Sequence, residues 1–72
     1  MKFKDIVLFL NKENSNIGML CRYLINDNQF NFDWNDEAIY IYLNTLIVTK
    51  GNEFDEPVRR LKTIYQTIKR AK

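Results

Sequence analysis

Residues 36–50 read DEAIYIYLNTLIVTK, and the fold turns on whether that run is a strand or a helix. Its Ile, Tyr, Thr and Val content favours a strand, because β-branched and aromatic side chains suit a pleated surface. Its spacing favours a helix: Ile39, Tyr42, Leu43, Leu46 and Ile47 fall on one face at intervals of three and four. About thirteen residues is also long for a strand, whose mean length is about 5–6. Asp36 to Thr49 is therefore predicted to be helical. Asp33 or Asn35 would cap it, and Asp36 and Glu37 would face the positive end of its dipole. Tyr40, Ile41 and Val48 fall off the apolar face. Either this helix is buried nearly all round, or its second side meets a partner.

Downstream, Lys50-Gly51-Asn52 reads as a helix stop, with Gly51 able to take a left-handed conformation. The last helix begins near Asp55-Glu56-Pro57, where acids and proline suit a first turn, and runs to about Ala71. Val58, Leu61, Ile64, Tyr65 and Ile68 form its apolar stripe. Upstream, residues 28–35 (NQFNFDWN) alternate aromatic and polar side chains but offer no partner strand. They are expected to form an ordered loop whose Phe30, Phe32 and Trp34 plug the core. A helix from Ile17 to Asn28 turns Ile17, Leu20, Cys21, Leu24 and Ile25 inward, with Ser15 or Asn16 as cap. Gly18 sits in its first turn, where a glycine costs less than in the middle. A helix from Phe3 to Lys12 carries the stripe Phe3, Ile6, Val7 and Leu10. Residues 1–72 are thus expected to form a single all-α domain, a compact bundle of four, or five, short helices.

Composition narrows the function. The chain has 72 residues, no His, one Cys and two Gly. A lone Cys makes no internal disulfide, and without His it leaves no plausible zinc site. The commonest general base is missing, and Gly18 and Gly51 lie too far apart for a phosphate-cradling loop. The acids Asp27, Asp33, Asp36, Glu37, Glu53, Asp55 and Glu56 lack the order of a calcium-binding loop, and most of them are better read as helix caps. No catalytic residue, metal, cofactor or small-molecule substrate is expected. Cys21 lies on an apolar stripe and reads as a small core side chain. No apolar run approaches the roughly 18–20 residues of a membrane span, and MKFKDIVLFLNKEN is charged too early for a secretory signal. A single thiol suits a reducing compartment, so a cytoplasmic protein of a bacterium, or of one of its phages or mobile elements, is expected.

The net charge of +2 conceals a segregation. Residues 57–72 carry Arg59, Arg60, Lys62, Lys69, Arg70 and Lys72 and no acid, whereas residues 1–56 hold five basic and nine acidic residues. On a helical wheel Arg59, Lys62, Lys69 and Arg70 cluster around Gln66, opposite the apolar stripe. Such a face can neutralise several phosphates. It is also what a solvated amphipathic helix shows when its C-terminal dipole favours cations. Nucleic-acid binding is the leading expectation, with Arg59, Lys62, Lys69 and Arg70 on phosphates and Arg60 and Gln66 at the periphery. The alternative is a protein-interaction module, a homodimer or an adaptor that modulates a larger protein. Its interface would be Tyr40, Ile41 and Val48, with Leu8, Met19 and Tyr23 as further apolar residues off the main stripes.

From Phe3 to Leu43 the chain resembles the YozE-type domain, which has a sterile-alpha-motif-like helical fold. The resemblance rests on Phe3 and Phe9, on Leu20-Cys21…Ile25-x-Asp27-x-x-Phe30, and on Tyr42-Leu43. The family places a proline after the phenylalanine where this chain has Asn31, and its terminal helix is acidic and aromatic where this one is basic. The resemblance implies a four- or five-helix bundle and nucleic-acid binding, and brings no catalytic residues.

Overall fold

The stretch from Asp36 to Lys50 is a continuous α-helix in the computed structural model, which describes residues 2–71. In chain order the helices are α1 (Phe3–Leu10), α2 (Asn16–Asn26), α3 (Asp36–Lys50) and α4 (Asp55–Arg70), with a 3-10 turn at Gly51–Phe54 between the last two. The described residues are all-helical, with no strand among them. The apolar spacing along α3 prevailed over its β-favouring composition because it aligns Ile39, Leu43 and Leu46 into one buried row.

The helix ends follow local side-chain chemistry. Asn35 caps α3, its Oδ1 accepting the Ala38 N–H at 2.9 Å. α1 stops at Leu10, short of the expected Lys12, where the Asn11 side-chain amide folds back to donate to the Leu8 carbonyl. α2 stops at Asn26, before the expected Asn28, because Asp27 turns extended and accepts the Gln29 N–H at 2.9 Å. Asn31 does the same for the Asp33 N–H at 2.8 Å, so side chains hold the 27–35 connection in shape without a strand partner. Gly51 has φ 83° and ψ −158°. This is a region open almost only to glycine, but it is not the left-handed helical conformation expected of it.

The core is shared by all four helices. α1 packs on α2, α2 on α4, and α3 runs antiparallel beside α4. Phe3, Leu20, Leu43 and Leu61 are essentially closed to solvent. Phe30 enters from the aromatic connection, its ring 6.0 Å from Phe3 and 5.3 Å from Tyr42. The 3-10 turn adds Phe54, edge-on to Tyr23 at 5.2 Å, a core residue the helical wheels did not contain. Ile25 departs from expectation: it is 39% exposed, since it lies about a quarter-turn from the centre of its stripe. The radius of gyration, 11.3 Å, is that of a fully collapsed chain of this length, about 11 Å.

Cys21 lies within this core, and burial raises its thiol from 9.0 to about 11. A folded-state value above the unfolded one means that the neutral thiol contributes stability below pH 9, which is lost as the pH climbs toward 11. Burial also raises Tyr42 and Tyr65 above their ordinary 10, so they act in the same direction at still higher pH. Urea midpoints are therefore expected to hold level from pH 7 to 8.5 and to fall from pH 9 upward. In Cys21→Ala the decline should begin about one unit later. A midpoint level to pH 11 in the parent chain would contradict this.

Candidate nucleic-acid interface

α4 is the most strongly amphipathic of the four helices. Val58, Leu61 and Tyr65 are buried, and after Glu56 no acid appears on its solvent side. The structure divides the basic residues into three groups. Arg59, Thr63, Gln66 and Arg70 point outward together, each about one turn from the next along the helix. Arg60 is exposed on the far edge, where it borders a shallow depression with Ile64. Lys62 and Lys69 lie on the near edge, against α3.

Lys62 and Lys69, expected with Arg59 and Arg70 around Gln66, find partners on α3. The wheel treats α4 as isolated, but α3 lies along one flank and offers acceptors there. Lys62 Nζ donates to Asn44 Oδ1 at 2.9 Å and stands 5.9 Å from the centre of the Tyr40 ring. Lys69 pairs with Asp36 and stands 5.2 Å from the centre of the Tyr65 ring. Tyr65 itself donates to the other Asp36 oxygen at 2.6 Å, so one carboxylate at the start of α3 gathers two α4 side chains. Arg59 meets Asp55 one turn back at 2.9 Å. An exposed pair of this spacing is worth about 0.3–0.5 kcal/mol, too little to withhold the guanidinium from an anion. Lys72, the last of the C-terminal cations, lies outside the described residues.

The expected partner surface on α3 is also divided. Ile41 is 59% exposed and Val48 84% exposed, two turns apart on the outward side. Tyr40 instead turns toward α4, half-buried and edge-on to Tyr65 at 6.3 Å. Asn44 sits between Ile41 and Val48 along α3, and it is also the acceptor for Lys62. Through Asn44 the basic edge of α4 is joined to α3, a pairing that neither helix shows when read alone.

A groove of about 840 Å³ runs between α2 and α3. Its charged side chains already serve the fold. Arg22 donates to the Asn11 carbonyl at 2.6 Å and the Glu13 carbonyl at 3.1 Å, Tyr42 donates to Asp27, and Lys50 stands over Tyr23. Among the described residues no three carboxylates or thiols converge as a metal site would require, and no helix is long and apolar enough to cross a membrane. No family model matches the chain, and comparison with curated proteins and with solved structures finds no match.

Proposed function

We propose that this chain is a small non-enzymatic module that binds nucleic acid through α4. The observation that carries the proposal is the acid-free outward face of that helix: Arg59, Arg60, Gln66 and Arg70 stand in solvent, with Lys62 and Lys69 along the adjoining edge. Arg59, Lys62, Lys69 and Arg70 take phosphates, the two lysines exchanging Asn44 and Asp36 for the ligand. Arg60 and Gln66 contact the backbone at the margins. The YozE-type resemblance and the short helical elements support a sterile-alpha-motif-like arrangement. The single buried thiol supports residence in a reducing compartment.

A binding titration across salt concentration tests the reading. Four phosphate contacts predict a log–log slope of roughly −3.6 on duplex DNA and roughly −2.8 on a single strand. Reversing Arg60 and Arg70 to Glu should weaken binding about ten- to a hundredfold at low salt, while thermal stability changes little because neither side chain holds a partner among the described residues. No binding at low salt, or equal binding by the reversed variant, would remove the proposal. The exposure of Ile41 and Val48 favours a second reading, docking of a protein on the outward side of α3. Light scattering on the same samples separates the two. A dimer that Ile41→Asp dissociates, in a chain that ignores nucleic acid, would place the function there.

A further inference from the structure

A second cavity, about 400 Å³, opens where the aromatic connection meets the C-terminal half of α4. Phe32 and Trp34 line it together with the buried Tyr65, and Lys2, Asp33 and Lys69 surround them. The two connection aromatics are only half-buried. They are held in place by neighbouring rings: Phe32 stands edge-on to Phe30 at 4.9 Å, Trp34 edge-on to Phe30 at 5.5 Å and to Tyr42 at 5.6 Å. The Asp33 N–H donates to Asn31 Oδ1 and the Ala38 N–H to Asn35 Oδ1, fixing the backbone on both sides of Trp34. A rigid pocket with exposed indole and phenyl surface is therefore present at rest.

We infer that this pocket receives one unstacked base of a single-stranded nucleic acid whose backbone follows α4. The inference rests on the nucleic-acid reading of α4 and specifies which kind of strand it binds. Flat aromatic walls suit any nucleobase, and stacking on protein aromatics is the usual way that single strands are held. Lys69 belongs to both features: it lines the pocket and stands on the edge of the basic helix, next in sequence to the exposed Arg70. A strand that stacks a base on Phe32 and Trp34 therefore has its phosphates beside Lys69 and Arg70. Lys2 adds a cation on the opposite rim. Asp33 and the Asp36 carboxylate beside Lys69 oppose phosphates there. Attraction thus comes from the α4 side, and Asp33 is left as an acceptor for an exocyclic amino group of the base. A duplex offers its phosphates to α4, but its bases stay stacked, and extruding one costs several kcal/mol.

Trp34 is the only tryptophan of the chain, so intrinsic fluorescence reports on this pocket directly. The test compares three ligands of equal length: a mixed-sequence 12-mer single strand, its duplex, and a fully abasic strand that keeps every phosphate. The single strand is expected to quench Trp34 and to bind about five- to a hundredfold more tightly than either of the others. Phe32→Ala should bring the single strand down to the abasic affinity, and if that variant does not fold, the three-ligand comparison on the parent chain decides alone. Equal affinity for all three ligands with unchanged Trp34 emission overturns the base pocket and leaves the α4 reading standing. Absence of binding by all three removes both.

Discussion

Gly18→Ala is expected to lower stability by about 2–3 kcal/mol or more, although the change adds one methyl group to a helix and improves helix propensity. A Cβ built at Gly18 falls 2.0 Å from the Glu13 carbonyl oxygen and 2.8 Å from its carbon, both rigid backbone atoms. The bend between α1 and α2 passes directly over the first turn of α2, and only a residue without a side chain leaves room for it. Relief by displacement is also obstructed. Arg22 holds that bend down through the carbonyls of Asn11 and Glu13, and its guanidinium would itself lie 3.3 Å from the new methyl. A domain of this size has about 4–11 kcal/mol of stability in total, and each kcal/mol shifts the melting temperature by roughly 4–8 °C. Thermal unfolding followed by circular dichroism should therefore show Tm lower by roughly 10–20 °C. A Tm within about 3 °C of the parent would mean that the bend moves freely and that the close approach does not constrain the fold.

The second large effect is the contrast between two phenylalanines of the same helix. Phe3→Ala should cost about 3–5 kcal/mol, and Phe9→Ala no more than about 0.5 kcal/mol. Phe3 is 2% exposed, and three rings converge on it: Tyr65 at 5.2 Å, Phe30 at 6.0 Å and Phe32 at 6.4 Å. It thus joins α1 to the aromatic connection and to α4. Removing it leaves a cavity bounded by rings that cannot all close in, and a large share of the stability goes with it. Phe9 is 73% exposed. Urea denaturation of both variants gives the comparison, and similar midpoints for the two would contradict the placement of Phe3 at the centre of the core. Because Phe3 also lines the aromatic pocket, its loss should loosen Phe32 and Tyr65 and shift Trp34 emission even where the chain still folds.

Both predictions mark where sequence reading stops. Gly18 was visible as a glycine in a first turn, which is a weak statement about helix propensity. Its importance comes from a carbonyl five residues earlier in the chain, brought overhead by a bend whose path no periodicity describes. Phe3 was visible as an inward residue of α1, but Phe9 has the same chemistry, and only the i, i+3, i+4 pattern separated them. That pattern sufficed there, as it did for Leu20, Leu43 and Leu61. It failed for Phe54, which lies in a 3-10 turn with a different repeat, and for Ile25, at the margin of its stripe.

The candidate site divides in the same way. That α4 is amphipathic, and that its basic residues avoid the core, follows from the order of residues alone. That Lys62 and Lys69 belong to the seam with α3 does not, because their partners Asn44 and Asp36 lie eighteen and thirty-three positions away. The aromatic pocket is further from sequence reach. Phe32 and Trp34 were legible as ordered aromatics, but a pocket needs the rest of its lining, and Tyr65 comes from the far end of the chain.

What the order of residues determined by itself was the helical character of the segments, the Asn35 cap and most of the inward-facing residues. Those depend on interactions within a turn or two: the Asn35 cap, the apolar spacing that overrode β-favouring residues in α3, the acidic first turn and basic last turn of α4. Which faces meet was decided only in the tertiary structure. The close approach at Gly18, the two lysines turned toward α3 and the cavity around Trp34 each arise from packing between helices. A helical wheel holds only the neighbours of one turn, whereas these contacts depend on how several helices share one small core.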